Sequence, residues 1–514
     1  MIRDLLQQQP EAATASYVCS VGSGAAGIVL AVDLARRGKS VLLLEGGGTE
    51  IEDVSQDPYR SELTGLPHRG IHTGRFRAKG GTTTRWGGQI LELDERDFEP
   101  RPGIEGSGWP FPKSELAPFY ERALAMEGLA RVTRQDAEVW REIGVQPPVF
   151  PSLEPYFSRW CPEPNFARLH GRTLCQHPGI ELWLHANAVD LLLDGGTMRG
   201  VRCRTLTGVE AIFRASRFIF CLGGIESSRF FLQPREGTLP WNSSGLVGKH
   251  FQDHIDANAA TVEPLDAARF HHIFDNVFSR GFKYHPKLRL APAEQIANGT
   301  LNVAATIAFA GQNDDALAQL KSTAKNLLHG RTRHIRAADL GFAARHLPLL
   351  ARQTLRYHFQ HRAYNPPGVR ISLRLHCEQE PTSRSSITLS DARDTLGLLR
   401  TRLDWQISDR ELSTMRRYVQ IAAQSLAGVA RVHPAEDLIS GSTDFLSHCD
   451  DSNHHMGGMR LSSAPASGVV DPNLRLHGLG NAYVCSSAVF PTSGFSNPTH
   501  TLLALALRLS EHLG

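Results

Sequence analysis

The stretch from residue 17 to residue 45 constrains the fold more than any other. Residues 17–21 read as a short apolar strand, Gly22-Ser23-Gly24-Ala25-Ala26-Gly27 as a glycine turn, residues 28–37 as a helix closed by Gly38, and residues 40–44 as a second strand ending at Glu45. Strand, glycine turn, helix and strand in that order make a βαβ unit, the dinucleotide fingerprint of a parallel sheet. Gly22, Gly24 and Gly27 permit a tight turn and close approach of backbone to a pyrophosphate. The helix start faces that charge, and Glu45 stands where an acid receives a ribose hydroxyl. NAD and FAD sites share this pattern, so it does not choose between them; Glu45 disfavours a 2'-phosphate, because two anions would meet.

At 514 residues the chain is too long for one ordinary core, and two to four domains, or two large interleaved ones, are expected. A formal charge of +3 is small for this size and gives no ground for a nucleic-acid partner. The chain has no apolar run of the roughly 18 residues a membrane helix needs, and its start, MIRDLLQQQPEAATASY, has neither a signal h-region nor a twin arginine. A soluble cytoplasmic protein is expected, with residues 1–15 loosely held. The eight cysteines (Cys19, Cys161, Cys175, Cys203, Cys221, Cys377, Cys449, Cys485) form no C-x-x-C and no zinc-like spacing. They are expected to be reduced, buried thiols.

A second glycine loop follows, Ala78-Lys79-Gly80-Gly81-Thr82-Thr83-Thr84-Arg85-Trp86-Gly87-Gly88. Glycine pairs at both ends let backbone and threonine hydroxyls approach a phosphate or a flat ring, and Trp86 supplies a stacking face. Residues 114–127 read as an amphipathic helix, followed by a proline-rich connector. Residues 180–193, 199–204 and 210–213 read as successive antiparallel strands. Residues 217–222 read as a buried strand running into Gly223-Gly224, a glycine pair at a strand's carboxyl end, where open α/β sheets receive ligands. Residues 256–310 and 368–405 again read as strands. Between them, residues 321–362 hold nine Lys or Arg, five His and a single acid, Asp339. That segment is either a solvated helix pair or a docking face for an anionic substrate, a carrier or a membrane surface.

The last part, residues 453–514, carries the pair His454-His455, a hydrophobic run at 481–484, and an Asn-Pro step. Pro498 suits a first helical turn, and residues 499–513 continue without a breaker, so Asn497 sits at the N-cap of a terminal helix. Its free N–H groups and dipole favour negative charge by up to about 2 kcal/mol where partly buried. The group His448, Cys449, Asp450, Asp451, His454 and His455 fits no common metal-ligand spacing, and no metal is expected.

Three separated segments, GSGAAG with Glu45, GGTTTRWGG, and HHMGGM followed by GVVDPNLRLHGLGNAYVCSSAVFPTSGFSNPTHTLLALALRL, together resemble the glucose-methanol-choline (GMC) flavin oxidoreductases. FCLGGIESSRFFL and VGKHFQDH also resemble stretches of that family. The branch most resembled contains pyranose oxidases and bacterial sugar-modifying members. The resemblance implies an α/β fold: a Rossmann-like FAD-binding domain from residues 1–109, 168–255 and 454–514, interleaved with an α+β substrate domain on an antiparallel sheet from 110–167 and 256–453. It implies that His455 is the catalytic base and Asn497 the second active-site residue, although a shift of one residue would exchange His455 with His454. It implies FAD contacts at Gly22, Gly24, Gly27, Glu45, Gly81, Thr82, Arg85, Trp86, Gly88, Ala188, Gly223, Ser486, Pro498 and Thr499.

Two departures bear on the cofactor. Some pyranose oxidases bond FAD to a histidine in a Thr-His-Trp step; Thr84-Arg85-Trp86 offers an arginine, so a non-covalent FAD is expected. Relatives often carry an acid where this chain has Ser486. The expected reaction is oxidation of a CH–OH group of a sugar, glycoside or related polyol, with hydride passing to flavin N5 and a neutral histidine taking the hydroxyl proton. The substrate is a small alcohol or sugar, with an anionic or carrier-linked one favoured if the basic segment docks it. The alternatives are an oxidase of a non-sugar alcohol, a non-redox flavin lyase of the same fold, and a binding protein without catalysis. The sequence does not name the electron acceptor.

Overall fold

The computed structural model describes residues 1–10, 16–237, 239–310, 347–366 and 368–514. Near-continuous apolar runs build a six-stranded parallel sheet, since strands buried on both faces need no polar alternation. Its order is Ile2–Asp4, Ile180–Leu184, Val41–Leu44, Ser16–Val21, Ala215–Phe220, Ala482–Val484, and every neighbouring pair is parallel. The helices Ala25–Arg36 and Pro498–His512 bury Ile28, Leu30, Leu503 and Leu507 in the core that includes these strands.

A second, nine-stranded sheet is antiparallel. Its path runs Ala430–Pro434, Ile255–Pro264, Arg370–Cys377, Val303–Ala310, Phe282–Leu290, Leu153–Trp160, Gln89–Ile90. Side chains alternate across such a sheet. Leu288, Ala305, Leu373 and Leu375 enter a core shared with Met415, Tyr418 and Ala422 of the helix Asp409–Ser425. The alternate positions, His285, Lys287, Thr306, Arg374 and His376, form a polar face on the other side. The fold is therefore α/β with parallel and antiparallel sheets, as the fingerprint and the strand pattern imply.

Several local expectations change. Ile2–Asp4 is an edge strand beside Ile180–Leu184, and the terminal ammonium donates to Ile180 O at 2.7 Å, so the start of the chain is tied down. Residues 180–193 are two strands in different sheets: His185, at φ 54°, ends Ile180–Leu184, which is parallel, and Asn187–Asp194 opens an antiparallel meander. The first 109 residues also reach across the expected domain boundary. Gln89–Ile90 pairs with Trp160 and Arg159, and Ser61–Leu63 pairs with Leu399–Asp404. Six cysteines are buried and unbridged, but Cys175 is exposed and Cys449 half-buried.

Of the basic segment, residues 321–346 lie outside the described residues, and Leu347–Gln360 is a helix. There Arg356 pairs with Asp275 at 2.5 Å and Arg352 donates to Tyr364 Oη at 3.2 Å, so both have partners within the fold. Among the described residues no helix is long and apolar enough to cross a membrane.

The nucleotide-type turn depends on missing side chains. A Cβ on Gly27 would lie 1.9 Å from the Gly22 carbonyl oxygen, and one on Gly171, at the start of a surface helix, would meet nothing within 4 Å. Gly27→Ala is therefore expected to destabilise by at least about 1–3 kcal/mol, whereas Gly171→Ala should change stability by less than about 1 kcal/mol. Thermal unfolding followed by circular dichroism separates them; equal melting points would contradict the packing described.

Candidate active site

Four parallel strands end at one cavity of about 520 Å³. Gly22 follows Ser16–Val21, Glu45 follows Val41–Leu44, Cys221 to Gly224 follow Ala215–Phe220, and Cys485 to Ser487 follow Ala482–Val484; all of them line it. Open α/β sheets receive ligands at this place, outside the carboxyl ends of their strands.

Gly22 holds φ at +104°, and a Cβ there would lie 2.4 Å from Cys221 O. At Gly24 and Gly223 an added Cβ would meet nothing within 4 Å, so the backbone there opens directly on the cavity. Gly24 is also the N-cap of Ala25–Arg36 and caps it with no side chain, which leaves that helix's first amides available to an anion. Glu45, 6 % exposed, accepts from Ser23 N at 3.1 Å, Ser23 Oγ at 2.7 Å and Gly47 N at 3.0 Å. Burial raises its carboxyl above the usual range, against these bonds and the Arg77 charge. Gly27 is the one expected contact that does not line the cavity: its role is to let helix and strand pack.

The second glycine loop lies against the first. Gly80 N donates to Ser23 O at 3.0 Å, and a Cβ on Gly81 would meet Gly24 Cα at 2.9 Å. Gly81, Thr82, Arg85, Trp86 and Gly88 line the cavity, with Arg85 exposed. The Trp86 indole is held at one edge, Nε1 donating to Pro164 O at 2.6 Å. Ala188, Pro498 and Thr499 line the same space, as does Ser486, whose Oγ lies 3.0 Å from Ser227 Oγ. A flat, anionic dinucleotide fits this donor set: free helix amides and hydroxyls at one end, a fixed carboxylate, and open glycine faces between.

The histidine pair divides. Gln252 and Met456 bridge in antiparallel fashion, exchanging bonds of 2.9 and 2.8 Å. Two residues outward, His254 meets His454, Nδ1 to Nδ1 at 2.9 Å, on one side of the pair of segments. One residue outward, Asp253 and His455 lie on the other side. Neighbours in extended chain face opposite ways, and this corrects the pairing expected of His455 with Asn497. The ring that meets Asn497 belongs to His454, with Asn497 Nδ2 at 3.0 Å from His454 Nε2. Asn497 is the N-cap of Pro498–His512 but makes no side-chain cap bond, so its amide is free for that contact.

The partners define the protons. Ser493 O, a carbonyl, can only accept, so His254 carries its proton on Nε2, 3.3 Å away. His254 Nδ1 then accepts from His454 Nδ1–H. The lone pair of His454 falls on Nε2, at the cavity wall beside the Asn497 amide. Burial lowers His454 well below the usual imidazole range and His254 to about 4, so both are neutral at pH 7. His254 and Ser493 were not singled out as site residues in the sequence, although His254 ends VGKHFQDH.

His455 also lines the cavity, with its ring on the Asp253 side of the paired segments. Its Nε2 is 3.7 Å from Asp253 Oδ2, too far for a hydrogen bond, and has no other partner. Asp253 accepts from His68 Nε2 at 3.1 Å and from the His454 amide at 2.8 Å, which anchors the segment. His68, Asp253 and His455 are close enough to hold a metal ion, and of the residues first weighed for that role only His455 belongs to this cluster. His68 Nδ1 accepts from Ile71 N at 3.1 Å, which places its proton on Nε2 toward Asp253 and leaves neither ring nitrogen for a metal.

Residues 381–506 match the family model of the GMC oxidoreductases. The match lies in the C-terminal part of the chain. It is 24% identical to 6'''-hydroxyparomomycin C oxidase of Streptomyces lividus, over 96% of this chain and 90% of that one. It is 22% identical to 2-methyl-1,2-propanediol dehydrogenase of Mycolicibacterium austroafricanum, over 96% and 94%. Among solved structures, pyridoxine 4-oxidase from Mesorbium loti superposes with a TM-score of 0.60 at 18% identity, covering 97% of this chain and 99% of that one. These likenesses support an FAD-dependent oxidoreductase.

Neutral, buried imidazoles have a cost in acid. His254, His285, His454 and His455 are all lowered in the folded protein, chiefly by burial. In the unfolded chain each takes a proton near pH 6.5, so below that value the unfolded state binds more protons and stability falls with pH. The slope is up to about 1.4 kcal/mol per pH unit for each such group. Asp97 and Glu411, raised by burial to about 7, oppose this over the same range, so the histidine contribution is read by difference: a His254→Asn variant should lose less melting temperature from pH 7 to pH 5 than the wild type, and an identical acid slope would contradict the burial.

Proposed function

We propose that the protein oxidises a CH–OH group of a sugar, glycoside or related polyol, with His454 as the base that takes the hydroxyl proton. One observation carries this reading: the unprotonated Nε2 of a half-buried neutral histidine and the Asn497 amide, 3.0 Å apart, lie together on the wall of the cavity. Bound FAD supplies the acceptor for the carbon-bound hydrogen, taken as hydride. His454 Nε2 accepts the hydroxyl proton, a role that contributes about 10²- to 10⁴-fold to rate. Asn497 donates to the substrate oxygen and orients it without adding charge. His254 holds the His454 ring and its tautomer. The start of Pro498–His512 adds positive potential to the same wall, suited to negative charge developing there.

The relatives support the substrate class by their names: an oxidase of a hydroxyparomomycin, a fructose dehydrogenase large subunit and a C-glycoside 3-oxidase. They include both oxidases and dehydrogenases, and air exposure after anaerobic reduction decides which applies here. The flavin is non-covalent in this reading, because the Arg85 guanidinium offers no nitrogen suited to the bond a histidine makes.

His454→Ala should lower the rate of anaerobic flavin reduction by about 10²- to 10⁴-fold while FAD stays bound, and denaturation should release the FAD into solution. His455→Ala should act on stability more than on that rate. Full activity in His454→Ala, or its loss in His455→Ala alone, would refute the assignment.

A further inference from the structure

The polar face of the nine-stranded sheet begins at the wall of the active-site cavity. Gln89 and Trp160 line that cavity. Gln89 Nε2 donates to Ser158 Oγ at 2.6 Å, and Ser158 is the register partner of His285. Lys283 lies over the Trp160 ring at 3.7 Å. Two residues beyond His285 on the same face is Lys287. Asp256, two residues on from the His254 that meets His454, is the register partner of His376, so the same face continues to the strand beside His454.

Lys287 is 5% exposed, and among the described residues it makes no hydrogen bond or ion pair. The nearest acid, Asp256, is bound to Arg374 at 2.8 Å and to His376. The register partners of Lys287 on either side are Tyr156 and Thr306, so the three form one row on one face. Both neighbouring hydroxyls are buried without a hydrogen-bond partner. Burying an ammonium without a counter-charge is costly, and buried hydroxyls are ordinarily hydrogen-bonded. On the same face Arg289 is paired with Glu154 and Asp94, and Arg374 with Asp256, so Lys287 is left without a counter-charge among the described residues. A neutral sugar leaves that ammonium uncompensated, and a protonated amino sugar adds to its charge.

We propose that the substrate carries an anionic group, a carboxylate or a phosphate monoester, which binds Lys287 and Thr306 while its hydroxyl is presented to His454. The proposal rests on the alcohol oxidation described above and narrows its substrate class. Lys287 is pushed down to about 8 by burial, so it remains mostly protonated at pH 7.

The test uses the FAD-loaded enzyme and four matched sugars, glucose, glucuronate, glucose 6-phosphate and glucosamine, in anaerobic reduction. Glucuronate or glucose 6-phosphate should exceed glucose at least tenfold in kcat/KM, and which of them leads identifies the anionic group. Lys287→Met should raise KM for that sugar at least tenfold with little change for glucose, and Lys287→Arg should restore most of it. Independently of turnover, inorganic phosphate or acetate should perturb the flavin spectrum of the wild type and not of Lys287→Met. Equal or better use of glucose or glucosamine, with Lys287→Met indistinguishable from wild type in both assays, overturns the subsite while leaving alcohol oxidation intact. If no sugar reduces the flavin but anion binding still depends on Lys287, the subsite stands and the oxidation reading falls.

Discussion

The active site depends on a clasp between two short segments about 200 residues apart in the chain. The Gln252–Met456 bridge aligns them, and the buried Asp253 carboxylate, holding the His454 amide, locks the alignment. With the register set, the alternation of extended backbone decides which imidazole meets His254 and Asn497 and which turns toward Asp253. A slip of one residue would bring His455 toward Asn497 and turn His254 and His454 away from each other.

Burial then gives the facing imidazole its chemistry. A solvated histidine near pH 6.5 would be partly protonated and unable to accept a proton; desolvation keeps His454 neutral, and the chain from Ser493 O through His254 leaves its lone pair on Nε2. The order of events in the fold serves this end. Parallel strands bring three glycine-containing turns to one crevice, the terminal helix begins at its wall, and Gln89 and Trp160 of the antiparallel sheet close another side. Asn497 joins two of these parts, ending the loop that carries Ser493 and opening Pro498–His512.

Much of this was legible in the sequence, and the failures have physical causes. The turn Gly22 to Gly27, Glu45 and the Asn-Pro helix start were readable because glycine spacing and a proline at the first turn have local meanings, and they fall where expected. The choice between His454 and His455 was not readable, because it turns on a bridge to Gln252 that adjacent identical residues cannot report. Lys287 was invisible for a similar reason: in FKYHPKLRL it looks like any outward lysine until strands on both sides cover it. Ile180–Leu184 was placed with its antiparallel successors because a single residue with positive φ, His185, moves the chain from one sheet to the other.

The most direct measurement is a crystal structure of the FAD-loaded protein with a bound, unreactive alcohol. The account requires the alcohol oxygen within hydrogen-bond distance of both His454 Nε2 and Asn497 Nδ2, with the His455 ring turned toward Asp253. An alcohol oxygen bound to His455, or remote from both His454 and Asn497, would contradict it.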